Sequence, residues 1–218
     1  IEDIRTYQEF ILDPVEALAD ILRELKLDGG RIALETEYLA AKYYNDLVRR
    51  CPKLTIEPAE ELFARVRMFK TQREKDTIIG AFHATEKAFL ATYASVSVGE
   101  SEKALSIRLA DNILLQGAEM VAFNHLNCGP NTGYPHMAPS DYRVQPGDLV
   151  KGDSGGFFRE YYSNVGRTAK VGKPTSEDLS VWKKLRDTHH AIIDMCRPGR
   201  VGRELFEAAK RLQTGSGL

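Results

Sequence analysis

Apolar side chains recur at three- and four-residue spacing through much of this chain, and that period predicts helices. Residues 14–27 (PVEALADILRELKL) show it first, with Asp13 placed to cap and Pro14 suited to the opening turn. Asp28-Gly29-Gly30 ends that helix. Residues 31–35 (RIALE) then read as a short strand, 36–48 as a second helix and 54–56 as a second strand. Helix, strand, helix, strand is the order expected of the closing part of an α/β domain.

A helical stretch at 58–68 leads into a charged run at 70–76 (KTQREKD), which marks a domain junction. The next helix is predicted over 77–96, with Ile78, Ile79, Phe82, Phe89, Leu90 and Tyr93 as its apolar positions and Thr85-Glu86 breaking the stripe for one turn. A turn at 98–102 precedes a helix over 102–116, which Ser101 can cap, with Leu105, Ile107, Leu109, Leu114 and Leu115 turned toward packing surfaces. Strand is expected at 121–124 and on toward Gly129, a turn-rich loop at 129–133 (GPNTG), and further strands at 149–153 and 161–170. Helices over 176–195 and 203–212 flank a turn at Arg197-Pro198-Gly199.

Composition narrows the class. The 218 residues fit one or two domains, and 43% hydrophobic with 28% charged residues is ordinary for a soluble globular protein. A net charge of −1 gives no basic surface for nucleic acid and no polybasic tail for a membrane. No apolar run approaches the ~20 residues of a membrane span. Cys51, Cys128 and Cys196 are odd in number and lack a CxxC spacing, which points to free thiols in a reducing, cytoplasmic setting. The chain opens on Ile1 rather than Met and closes on Gln213-Thr214-Gly215-Ser216-Gly217-Leu218 directly after a helical pattern. It reads as a segment of a longer protein with material missing at both ends, a processed mature chain being the other reading.

Chemistry concentrates between Gly129 and Thr168. His136 stands in a Pro-rich loop, and two strands follow it. A hairpin closing at Phe158-Arg159 sets Asp153 opposite Asn164, on one face, with Cβ atoms roughly 4.5–5.5 Å apart. Two oxygen donors at that spacing can grip one ion, or straddle a pair about 3.5–4 Å apart. FFRE is a poor tight-turn sequence, and Gly155-Gly156 is suited to a bulge.

In order along the chain come Gly129-Pro130-Asn131, Pro135-His136, Pro139-Ser140-Asp141, Gly147-Asp148-Leu149-Val150, Asp153 with Gly155, and Tyr162-Ser163-Asn164-Val165-Gly166-Arg167-Thr168. This series resembles the creatinase/methionine-aminopeptidase superfamily with its pita-bread fold, and within it the Xaa-Pro dipeptidases and aminopeptidases. Met68-Phe69-Lys70 is similar to the family's inter-domain junction, and Arg197-Pro198-Gly199 to a later inter-helix turn. The resemblance implies an α+β chain. Residues 1–69 would be the C-terminal part of a creatinase-type N-terminal α/β domain, and 70–218 the N-terminal half of a pita-bread catalytic domain. It implies a hydrolase of Xaa-Pro peptide bonds that takes a small peptide or small amide substrate, forms a homodimer and uses one or two divalent ions (Mn, Co or Zn).

The family's ligand set is two aspartates, a histidine and two glutamates. Asp153 matches the first aspartate, Asn164 takes the place of the second, and His136 matches a substrate-contacting histidine. The other ligands belong to motifs C-terminal to this sequence. An amide at Asn164 brings no negative charge and cannot bridge two ions, which weakens a second metal position. Lys151, two residues before Asp153 and on the same strand face, further disfavours a dication unless its ammonium turns away. His136 has a competing reading as a loop-holding residue, and Asn164 one as a strand residue bonded to its neighbours. His189 and His190 are expected on a helix surface, and His83 and His125 in packing or hydrogen bonding. Two other functions stay open: a metal-free, creatinase-like C–N hydrolase that works through a histidine, and a catalytically dead binding module.

Overall fold

In the computed structural model, which describes residues 4–215 and 217, Asp13 and Pro14 open the first helix as their chemistry dictates. The Asp13 carboxylate accepts the Val15 N–H at 2.8 Å, and Pro14 has no N–H to satisfy. This helix, α1 (Pro14–Glu24), stops short of residue 27 because Lys26 turns left-handed at φ 57. The Leu27 and Lys26 N–H groups then bond back to Leu22 and Arg23 carbonyls at 2.7 and 3.0 Å, a terminating turn usually built on glycine. The chain ends Ile1 and Leu218, used above as signs of a longer protein, lie outside the described residues.

The chain divides into two compact units, Ile1–Gln72 and Arg73–Leu218. In the first, β1 (Arg31–Leu34) and β2 (Thr55–Pro58) pair in parallel through a crossover containing α2 (Ala41–Arg50). α2 starts later than the sequence pattern suggests. The Thr36 hydroxyl and the Glu37 N–H both donate to Glu60 Oε1 at 2.9 Å, which holds those residues outside a helix. Val15, Ala19, Leu22, Leu47 and Cys51 form the buried core, and α3 (Glu60–Met68) closes the unit.

The second unit's helical structure opens with α4 (Gln72–Ala94), and the boundary between the units, after Gln72, falls inside the charged run at 70–76 expected as a domain junction. The buried face of α4 is Ala81, Thr85, Ala88, Phe89 and Thr92. Ile79, Phe82 and Leu90, among the apolar positions of the sequence pattern, are exposed. A Cβ on Gly152 would stand 2.3 Å from Phe89 Cε1, so the bare glycine leaves room on β4 for the ring of buried Phe89. Thr85 and Thr92 meet burial by donating to carbonyls one turn back, at 3.0 and 2.8 Å.

Ser101 caps α5 (Glu102–Leu115) by accepting the Ala104 N–H at 3.2 Å. Leu105, Leu109 and Ile113 are fully buried at four-residue intervals, while Ile107, Leu114 and Leu115, also assigned to packing, face outward. A four-stranded antiparallel sheet follows: β3 (Met120–Cys128), β4 (Leu149–Phe158), β5 (Tyr161–Tyr162) and β6 (Val165–Lys170). β4 is central, paired with β3 on one side and with β5 and β6 on the other. α6 (Ser176–Met195), with a capping box of Thr175 and Asp178, and α7 (Gly202–Gly215) complete the unit. No helix among the described residues is long and apolar enough to cross a membrane.

Candidate active site

Alternation along β4 separates two faces. Val150, Gly152, Ser154, Gly156 and Phe158 are buried, whereas Lys151, Asp153 and Phe157 are only partly covered. Asp153 keeps 34% of its side-chain surface in contact with solvent. In register it lies between His125 of β3 and Gly166 of β6. The opposition to Asn164 expected from a turn at Phe158-Arg159 is therefore corrected. Phe158 pairs with Tyr161, so Arg159 and Glu160 form the two-residue loop, both left-handed at φ 49 and 71. Such a loop matches strand twist, and it adopts that form here without glycine or asparagine.

Asn164 also lies outside the strands. Ser163 breaks the ladder: its N–H donates to the Gly156 carbonyl and its hydroxyl accepts the Gly156 N–H, both at 2.9 Å. Pairing resumes at Val165 with Ser154, on the buried face. Alternation then gives Asn164, one residue earlier and exposed, the face of Gly166 and hence of Asp153, one diagonal step away rather than directly across.

His136 comes from the loop between β3 and β4 and is largely exposed. Its Nε2 lies 3.8 Å from Asp153 Oδ2, too long for a hydrogen bond but within ion-pair range when the ring is protonated. His125, expected in packing or hydrogen bonding, stacks on His136 with ring centroids 5.0 Å apart. Sequence reading passes over His125 because only the pairing of β3 with β4 brings it to Asp153. The surface expectation for His189 and His190 agrees with their exposure on α6. His83 is exposed too, with Nδ1 3.9 Å from Glu86.

The loop carrying His136 is tied down by a residue the sequence did not single out. Glu102, fully buried at the start of α5, accepts the Cys128 and Ser140 N–H groups at 2.6 and 2.7 Å and the Ser140 hydroxyl at 2.9 Å. Asn131 Nδ2 adds contacts at 3.2 and 3.3 Å, so this buried carboxylate is fully paired. Gly129 opens the loop at φ 52, where a Cβ would fall 2.5 Å from the Tyr142 hydroxyl. That hydroxyl donates to Asp148 at 2.9 Å. Burial first, then the bond to Asp148, pushes the Tyr142 phenol above its usual range.

Lys151 does not oppose Asp153 with a free charge. Its ammonium donates to the carbonyls of Thr132, at 3.0 Å, and Tyr134, and reaches Pro135 O at 3.5 Å. The Asp153 carboxylate takes part in none of the hydrogen bonds among the described residues, and an uncommitted, half-exposed carboxylate suits a hard cation. Asn164 offers a neutral oxygen. Among the described residues no three His, Cys, Asp or Glu side chains are grouped to hold a metal ion. Among the described residues, Asp153 and Asn164 could offer oxygen donors to one side of a metal site but do not complete one.

The sequence matches the model of metallopeptidase family M24 over residues 77–218 and that of the creatinase/prolidase N-terminal domain over 1–69. It is 27% identical over 208 residues to an Xaa-Pro dipeptidase of Lactobacillus delbrueckii subsp. lactis, covering 94% of this chain and 56% of that one. An Xaa-Pro dipeptidase of Pyrococcus furiosus is 26% identical over 154 residues, covering 70% of this chain and 44% of its own length. The fold is similar to the crystal structure of an X-Pro aminopeptidase from Thermotoga maritima. There the TM-score is 0.88 at 24% identity, over 99% of this chain and 61% of that one. The chain therefore spans about half the length of these curated relatives.

Proposed function

Because the chain belongs to metallopeptidase family M24, we propose that it supplies half of the active site of a divalent-metal hydrolase that cleaves Xaa-Pro peptide bonds. The observation that carries this reading is the Asp153 carboxylate, free of hydrogen bonds and 3.8 Å from His136 on the open face of β4. Its likeness to two Xaa-Pro dipeptidases supports the substrate class. Residues 1–69 then form the C-terminal part of a creatinase-type N-terminal α/β domain, and 70–218 the N-terminal half of a pita-bread catalytic domain, in line with the two matched family models.

In this reading Asp153 and Asn164 would hold the ion from this side, with further donors completing its shell. The ion, when bound, polarises the scissile carbonyl and makes water a usable nucleophile at neutral pH. His136 stands above Asp153 and donates a hydrogen bond to the oxygen on which negative charge develops. Its neighbour His125 stacks on the ring, with centroids 5.0 Å apart, and limits its rotation. In the complete protein a carboxylate would take the proton that water gives up. Manganese, cobalt or zinc as the ion, a homodimer as the assembly and the cytoplasm as the compartment complete the proposal.

Asn164 favours a second reading. With one carboxylate rather than two on the open face, a metal-free hydrolase of small C–N substrates that works through His136 is compatible with the same geometry. One pair of assays separates them. The complete protein should bind at least one transition-metal ion and cleave Xaa-Pro dipeptides when Mn or Co is added. Metal below one ion per chain, with turnover indifferent to added Mn, would favour the metal-free reading.

A further inference from the structure

We propose that Lys151 is a positioning residue for His136, fixing the height of the imidazole above Asp153 by gripping the backbone of its loop. The inference rests on the role given to His136 above. Three carbonyls, those of Thr132, Tyr134 and Pro135, converge on one ammonium, and the last belongs to the peptide group joining Pro135 to His136. Among the described residues Lys151 is the only side chain of β4 hydrogen-bonded to this loop. The neighbouring polar group beneath it, Asn127, is opposite Lys151 in register and fully buried, yet neither its amide nitrogen nor its oxygen has a partner among the described residues.

Lys151 and Asp153 share one strand and one face, about 7 Å apart along it. The clamp and the carboxylate are thereby set on the same rigid backbone, so the distance from His136 to Asp153 is fixed by β4 rather than by the loop. Glu102 separately holds the start of the loop, through Cys128 and Asn131, and its course after His136, through Ser140. An acid thus anchors the segment on either side of His136, and a base sets the stretch between. Charge-assisted bonds to carbonyls are stronger than neutral ones, which suits a lysine to hold an otherwise exposed segment. The positive charge that sequence reading sets against a dication is spent on the loop instead.

The test uses Lys151→Met, which keeps the unbranched stem and removes the donors, and Lys151→Arg, which restores charge and donors. Lys151→Gln, which retains a donor, replaces Lys151→Met if that variant does not fold. In the 218-residue chain, amide hydrogen exchange across 129–140 should rise severalfold in Lys151→Met, while exchange in the rest of β3 stays at the wild-type rate. In the complete protein, Xaa-Pro cleavage should lose about 10- to 100-fold in kcat with KM little changed, since misplacement by about 1 Å costs this much. Lys151→Arg should recover most of that loss. Adding Lys151→Met to His136→Ala should cost nothing further, because Lys151 acts through His136. Unchanged exchange across 129–140, or the same kcat loss in the His136→Ala background as in wild type, overturns the proposal. If the wild-type protein cleaves no Xaa-Pro peptide, the functional reading fails by itself, and the exchange measurement still decides the clamp.

Discussion

The two faces of β4 are built to opposite rules. On the face toward α4 and α5, Val150, Gly152, Ser154, Gly156 and Phe158 are buried, and side chains are kept small wherever a helix comes close. On the other, Lys151 and Asp153 stand partly open under the His136 loop. One residue of slip would exchange the two sets, so the packing of the first face fixes the register that presents the second. Tight packing on one side is what gives a defined geometry to loosely covered polar groups on the other.

Substitutions on each face sharpen this contrast, and the largest effect belongs to the open side. His136→Ala should lower kcat of the complete protein by about 10²–10³, as for loss of a hydrogen-bond donor to a developing oxyanion, with the folding midpoint unchanged. On the packed side, Gly152→Ala should do the reverse. Its methyl meets the ring of buried Phe89, and overpacking of this kind costs about 1–3 kcal/mol. Urea unfolding should report a lower midpoint at constant m-value. A midpoint equal to wild type would mean that α4 stands farther from β4 than described.

Asn164→Asp adds the missing carboxylate to the open face without touching the packed one. Metal affinity of the complete protein, measured calorimetrically, should rise at least about tenfold, roughly 1.4 kcal/mol. No change would place Asn164 away from the ion.

The smallest effect lies off both faces and serves as a control. The Thr175 N–H, then its hydroxyl and Lys170, hold the Asp178 carboxyl at about 2, well below its usual range. A carboxylate depressed on folding stabilises the fold above its unfolded pKa and loses that contribution as pH falls toward 2. Urea unfolding should therefore show Asp178→Asn less stable than wild type near pH 7, with the difference shrinking away as pH falls toward 2.

Local chemistry was readable from sequence, and geometry between distant segments was not. Helix 176–195 matches α6 end to end, because Thr175 caps it and Arg197-Pro198-Gly199 follows within a few residues. The β4–β5 turn escaped because Arg159 and Glu160 carry no turn signature, although both adopt positive φ. On α4 the apolar pattern alone did not separate buried Phe89, for which Gly152 leaves room, from exposed Ile79, Phe82 and Leu90. In the site, His136 and Asp153 stood out in their motif. His125, Glu102 and Lys151 reach the same loop only through pairing and packing that no local pattern encodes.

The account depends on Asp153 being a free carboxylate turned toward His136. Calorimetric Mn titration of the complete protein, wild type against Asp153→Asn and His136→Ala, tests this most directly. Binding should be lost in Asp153→Asn and retained in His136→Ala. Equal binding in wild type and Asp153→Asn would contradict it.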